Sequence, residues 1–244
     1  FVDQTGLVRA LESGKANISA TAGGVTATCS VTVSENAIAN VNYIDEYGVN
    51  HGIGIVLGNN VWAPVNCGYH KKDYPYGKLY QWGRRYGQGY DTFDASVPVF
   101  EEGGVSAIGA NHETNSNVFY LGSDWCDPRN DDLWNSGTES NPIKTEYDPC
   151  PTGWRVPTMD ELNDIFVFDQ SFWSQNEEGQ YGRWFNGGNL SVEASKVFLP
   201  AAGYRDNKTG DAKYRGEYGM YWSSREPSWT YGASAYGFKS TASS

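Results

Sequence analysis

The chain carries few of the groups on which redox, metal or thiol chemistry depends. Its 244 residues include four cysteines and three histidines. The cysteines, Cys29, Cys67, Cys126 and Cys150, never stand as a Cys-x-x-Cys pair. Zinc sites draw on such pairs together with histidine, so no zinc site is expected. Cys29 lies apart from the other three by pattern. At most one bridge can therefore form within the main body without a partner from elsewhere, and four free, buried thiols stand as the equal alternative. Positive charge is also scarce: 18 Lys and Arg against 29 Asp and Glu give a net charge of -11 and a pI near 4.7. Such a surface repels nucleic-acid phosphates and anionic membrane surfaces. No apolar run approaches the roughly 18 residues of a transmembrane helix, so direct membrane insertion of this segment is not expected.

Aromatics and glycine are abundant instead: Trp 9, Tyr 17, Phe 10 and Gly 29. This pairs large flat side chains with tightly turning backbone. Tyr and Trp supply contact area at low entropic cost and recur on binding surfaces, although most are expected here to pack a loop-rich core.

The best-specified local element follows Cys150-Pro-Thr-Gly-Trp-Arg-Val-Pro157. Pro157 drives Val156 to an extended conformation, so a helix can begin only after it. Thr158 then takes the N-cap, with Glu161 three residues on, as a capping box. Asp160 and Glu161 complement the helix dipole, and Leu162, Ile165 and Phe166 share one apolar face. A helix over 158–166 is predicted, with Trp154 and Arg155 placed to anchor it.

Elsewhere the pattern is of short strands. Residues 17–22 and 26–33 alternate on either side of Gly23-Gly24 and predict a hairpin. Residues 52–65 predict a strand, an Asn-Asn turn and a second strand. Leu79 to Arg85 is read as a short helix, and Asp91 to Asn117 is polar and weakly patterned. Phe119-Tyr120-Leu121, Val197 to Ala202, a strand starting at Tyr221-Trp222 and Ala233 to Phe238 complete the set. Ser123 to Asp148 reads as a long acidic loop.

Residues 6–33 resemble the C-terminal half of a bacterial Ig-like domain of group 2. Only two or three of the roughly seven strands of such a sandwich are present, so the match is partial. Five further motifs occur in order: Val61-Trp-Ala-Pro-Val-Asn-Cys-Gly68, Leu79-Tyr-Gln-Trp-Gly-Arg84, Cys150-Pro-Thr-Gly-Trp-Arg-Val-Pro-Thr158, Phe198-Leu-Pro-Ala-Ala-Gly-Tyr-Arg205 and Tyr221-Trp-Ser-Ser224. Together they resemble the Fibrobacter succinogenes major paralogous domain over roughly 50–238. That family is similar to the C-type-lectin-like fold and is common in surface and fimbria-associated proteins of Bacteroidetes. The resemblance implies an α+β protein: an Ig-like β fragment at 1–36, then a C-type-lectin-like domain at 37–244 with short strands, one or two helices and long loops. Family members usually close with a Val-Arg-Cys strand, which Gly237 to Ser244 lacks, and that removes any disulfide such a cysteine would make.

What the resemblance implies for function is an exported, extracellular or outer-membrane-surface adhesion or ligand-recognition module, with a glycan or protein ligand. In lectin-like folds the loop after the Trp strand carries the ligand. Here Trp229, Tyr231 and Tyr236 could stack on a sugar, and Arg225, Glu226 and Ser228 could bond its hydroxyls. The Ser, Tyr, Trp and Gly mixture at 223–236 also matches the vocabulary of diversified binding loops. Asp124, Asp127, Asp131 and Asp132 supply hard oxygens for calcium, without the spacing of an EF-hand loop. The alternative reading is a structural stalk or tip subunit of a fimbria-like assembly. An enzyme is not expected. Arg155-Val-Pro-Thr-Met-Asp-Glu161 resembles a stretch of formylglycine-generating oxidases, but those need C-terminal cysteines and no cysteine follows Cys150. Nor do His51, His70 and His112 fall near a Ser or Cys in a nucleophile pattern.

Overall fold

A computed structural model of the protein describes residues 14–33, 41–91, 95–98, 104–122, 124–166, 171–186, 196–225 and 235–239. In chain order these form β1 (Gly14–Ala22), β2 (Val25–Val33), β3 (Asn42–Ile44), β4 (Asn50–Ile53), β5 (Ile55–Leu57), β6 (Asn60–Trp62), β7 (Ala95–Pro98), α1 (Ala107–Ala110), β8 (Val118–Leu121), α2 (Met159–Ile165), β9 (Phe172–Gln175), β10 (Tyr181–Phe185), β11 (Val197–Pro200), β12 (Tyr204–Arg205), β13 (Ala212–Lys213), β14 (Tyr218–Trp222) and β15 (Ala235–Lys239). Among the described residues the strands pair as small antiparallel hairpins, one three-stranded sheet of order β11-β10-β9, and one parallel pair, β7 with β8. The architecture is β-rich α+β.

The first hairpin forms as its sequence predicts. Gly23 and Gly24 both adopt positive φ, +58° and +79°, which suits the twist of a two-residue turn. The register then sets Ile18 opposite Cys29 and Ala20 opposite Ala27. Ser19 bonds Thr28 at 2.9 Å and Thr21 bonds Thr26 at 2.8 Å across the strands. Nearly all of its described side chains, Cys29 included, are exposed rather than buried.

Helix α2 also forms as expected. Thr158 accepts from the Glu161 N–H, and the Glu161 carboxylate accepts from the Thr158 N–H at 2.8 Å. Two groups outside the local pattern complete the start. Glu139 Oε2 accepts from the N–H of Met159 at 2.9 Å and of Asp160 at 3.2 Å, so the first-turn donors are satisfied. The Arg155 guanidinium grips Glu161 with both arms, at 2.7 and 2.5 Å. Burial works to raise the Glu161 carboxyl, but this pairing and the Thr158 N–H hold it below its ordinary range. Thr158 is fully buried, so Thr158→Ala removes the cap without access to a replacement water. It is expected to lower stability by about 1–2 kcal/mol in a denaturant melt.

Two apolar cores are present. One joins Leu162, Ile165 and Phe166 of α2 to Leu57, Phe185, Val197, Leu199 and Phe238. The other joins Ala110, Tyr120, Trp125, Cys126 and Leu133. With such short strands, backbone ladders alone cannot tie these parts together. Tryptophans do much of it. The Trp82 indole N–H donates to Ser223 O at 3.1 Å, Trp222 to Tyr80 O at 2.9 Å, Trp125 to Trp82 O at 2.8 Å and Trp134 to Arg84 O at 3.3 Å. Each buries an apolar body while its N–H ties down a carbonyl of another segment.

Some local expectations differ. Leu79 to Arg85 is not helical. Leu79 bridges Gln88, and Gly83 turns at φ +79°, where a Cβ would lie 2.6 Å from Leu133 Cδ1. The turn after β5 falls at Gly58-Asn59 rather than at an Asn-Asn pair, because Gly58 supplies φ +63°. Ile53 does not share the buried face of Leu57. It is exposed, and the strand breaks at Gly54, which admits Val61 and the Trp154 ring where a Cβ would stand. Trp222 ends its strand instead of starting one. The segment read as weakly patterned contains α1 and β7.

Candidate functional site

Arg225 comes from the loop expected to bind ligand and Asp132 from the acidic loop expected to hold calcium, and the structure brings them together at 3.1 Å. Both are partly exposed, so the pair contributes little energy, but it fixes one loop against the other. Ser223 and Ser224, just before Arg225, are fully buried. The Ser224 N–H donates to Pro157 O at 2.7 Å, and Ser224 Oγ accepts from Asn135 Nδ2 at 3.3 Å. The Trp-Ser-Ser motif is therefore a structural joint between α2, the acidic loop and β14. Glu226, Ser228, Trp229 and Tyr231 lie outside the described residues. So does the side chain of Tyr236, whose backbone pairs with Tyr221 in β15.

The acidic loop does not assemble a cation cage. Asp131 pairs with Arg129 at 2.7 Å and Asp132 with Arg225, while Asp124 Oδ1 accepts from the Cys126 N–H at 3.0 Å. Among the described residues no three carboxylates, histidines or cysteines converge as a metal-holding group. Cations and a backbone donor of the chain engage one oxygen each of Asp124, Asp131 and Asp132.

A ligand-sized concavity forms elsewhere, at the far end of the β14–β15 hairpin. It is an open hollow of about 380 Å³ lined by Tyr204, Tyr214, Glu217, Tyr218, Met220 and Lys239. Its floor and walls are built from the turn chemistry of 203–218. Gly203 adopts φ +74°, and a Cβ there would lie 2.3 Å from Lys213 O. The absence of a side chain lets the β12–β13 hairpin fold directly against it. The hydrogen bond from Lys213 Nζ at 2.8 Å, joined by the N–H groups of Lys208 and Thr209, holds the Asp206 carboxyl down to about 2 and closes the hairpin turn. The Tyr204 ring meets Tyr214 at 5.7 Å and Tyr218 at 5.9 Å, the latter edge-on.

Tyr214 is the unusual residue of the set. Its φ is +63°, and it is the one non-glycine with positive φ among the described residues. For a bulky L-residue this conformation costs about 1–2 kcal/mol. The neighbours enforce it. The N–H groups of Glu217 and Tyr218 both donate to Tyr214 O, at 3.0 and 2.9 Å, and Gly216 N–H donates to Ala201 O at 2.7 Å. Arg215, next in the chain, lies 4.2 Å over the Tyr90 ring and pairs with Asp91 at 3.1 Å. The result is a tyrosine held 52% exposed at the rim of the hollow. Strain held in place by surrounding structure is concentrated at binding and catalytic sites. Glu217 and Lys239 bring one charge of each sign to the same rim, and neither forms an ion pair among the described residues.

A second aromatic surface crosses the three-stranded sheet. Phe172, Trp184 and Phe198 are direct cross-strand partners and form a continuous ladder, with rings 6.3 and 4.9 Å apart. Lys196 Nζ lies 5.5 Å over Phe172. Sequence reading missed both surfaces. The ladder had a signal, the clusters of aromatic residues in Phe172-Trp173 and Tyr181 to Phe185. The hollow had none beyond three tyrosines in a Gly-rich stretch.

A family model described as a domain of unknown function (DUF8237) matches residues 161–244. This part of the chain is similar to that family. The match covers both aromatic surfaces and all six residues of the hollow. No curated protein and no solved structure matches the chain.

Proposed function

We propose that the protein is a non-enzymatic recognition module of C-type-lectin-like design, displayed at the cell surface, that binds a neutral carbohydrate in the hollow of Tyr204, Tyr214 and Tyr218. The observation that carries this reading is the strained, half-exposed Tyr214. A ring carried on a backbone held at a costly angle, beside two other tyrosines, offers an apolar face to the C–H side of a sugar. Glu217 and Lys239 supply an acceptor and a donor for its hydroxyls. The volume matches the lower range of small-ligand sites, about 300 Å³ and above. This places recognition at the opposite end of the hairpin from the loop at 223–236.

An array of neutral oligosaccharides tests the proposal. The protein is expected to bind at least one class, and Tyr204→Ala to weaken that binding at least tenfold with little change in melting temperature. No binding anywhere on the array, or full binding by Tyr204→Ala, contradicts it. A second reading, a structural subunit of a fimbria-like assembly, draws on the Phe172–Trp184–Phe198 ladder, a half-exposed apolar strip better suited to a protein partner than to a sugar.

A further inference from the structure

Cys67 and Cys150 belong to different motifs and meet inside the fold. The Cys67 sulfur lies against the Cys150 segment: it is 3.2 Å from Pro149 O, the carbonyl just before Cys150, and 3.3 Å from Tyr80 Oη. Both backbones are pinned. Lys78 N–H donates to Cys67 O at 3.1 Å, Cys150 N–H donates to Asp148 Oδ1 at 2.8 Å, and Lys144 Nζ donates to Cys150 O at 2.7 Å. The remaining two cysteines are placed quite differently: Cys29 is exposed on the N-terminal hairpin, and Cys126 is buried in the second core with its sulfur bonded to Pro128 O at 3.3 Å.

We infer that Cys67 and Cys150 are a cross-linking pair that closes to an intramolecular disulfide when the protein meets a low-molecular-weight disulfide such as oxidised glutathione. The Cys67 thiolate attacks one sulfur of the oxidant, whose S–S bond breaks and releases one thiolate. The Cys150 thiol then loses its proton and displaces the second thiolate from the mixed disulfide, forming the Sγ–Sγ bond. Two electrons and two protons pass to the oxidant, which leaves as two thiols. The two thiols are unequal in the sense this order requires. Contact with Cys150 draws the Cys67 thiol down, while the same contact, burial and nearby Asp148 push Cys150 well up. Both residues also line one large cleft and are only partly buried. The inference is independent of the carbohydrate site and tests separately from it.

The bridge would close a loop of roughly 80 residues, and constraining an unfolded loop of that length stabilises strongly. The full chain is to be equilibrated with oxidised glutathione or with dithiothreitol, then denatured, alkylated and mapped by mass spectrometry. In the oxidised sample the Cys67 and Cys150 peptides are expected to be joined, with buried Cys126 alkylated and exposed Cys29 recovered either alkylated or as a glutathione adduct. The melting temperature is expected to lie about 10 °C above that of the reduced sample, a difference that Cys67→Ser abolishes. Alkylation of all four cysteines after oxidation overturns the inference. So does recovery of Cys67 or Cys150 as a stable glutathione adduct, or a bridge from either to Cys29 or Cys126.

Discussion

Arg84→Lys is expected to destabilise the protein by about 3–5 kcal/mol and to lower its melting temperature by roughly 10–15 °C. Arg84 is fully buried, yet among the described residues no carboxylate meets it. Its guanidinium instead donates to three backbone carbonyls from separate elements: Val118 O at the start of β8, Ala110 O at the end of α1 at 2.8 Å, and Asn115 O at 2.7 Å. The Tyr120 ring lies 4.8 Å from its carbon, and Trp134 bonds the Arg84 carbonyl. Burial pushes the guanidinium down to about 10, so it stays charged at neutral pH and its donors offset that cost. A lysine keeps the charge but has one compact donor group, which cannot span three fixed carbonyls. At least one carbonyl would remain buried and unpaired. Urea or thermal melts measure the effect, and a loss below about 1 kcal/mol would show that the three carbonyls find other partners.

Asp148→Asn should be nearly as severe, about 3–4 kcal/mol. The Asp148 side chain is wholly enclosed and accepts from Lys144 Nζ at 2.6 Å, Cys150 N–H at 2.8 Å and Val156 N–H at 2.9 Å. It fixes the chain on both sides of Pro151-Thr-Gly-Trp154, and hence the entry to α2. An asparagine has one oxygen for these donors, and its own N–H₂ must face another donor. Local loosening should follow the global loss, so Cys150 in the reduced protein is expected to alkylate faster in Asp148→Asn than in wild type. An unchanged melt and unchanged alkylation would remove Asp148 from this role.

What could be read from the sequence was local, and what could not was long-range. Helix α2 was legible because Thr158 and Glu161 cap each other within one turn. The first hairpin was legible because Gly23-Gly24 sits between two alternating runs. Arg84 was not, since its acceptors lie 26 to 34 residues away on short elements that share no local pattern with it. Trp222-Ser-Ser read as the start of a strand and a loop because nothing nearby announces its bonds to Trp82, Asn135 and Pro157. The same limit applied to the functional residues. Arg225 and Asp132 were each picked out as ligand-binding or metal-binding groups and turn out to bond each other. The tyrosine hollow depends on one backbone angle at Tyr214, which the surrounding hydrogen bonds impose and which residue identity argues against.

The account stands most directly on a comparison of Tyr214→Ala with Tyr214→Gly, each measured for thermal stability and for binding to the oligosaccharide array. Both remove the ring, but only glycine accepts the left-handed backbone without strain. The expected result is that both variants lose carbohydrate binding while Tyr214→Gly melts roughly 2–4 °C above Tyr214→Ala, the equivalent of about 1 kcal/mol of released strain. Equal melting of the two variants, or carbohydrate binding retained without the ring, would contradict it.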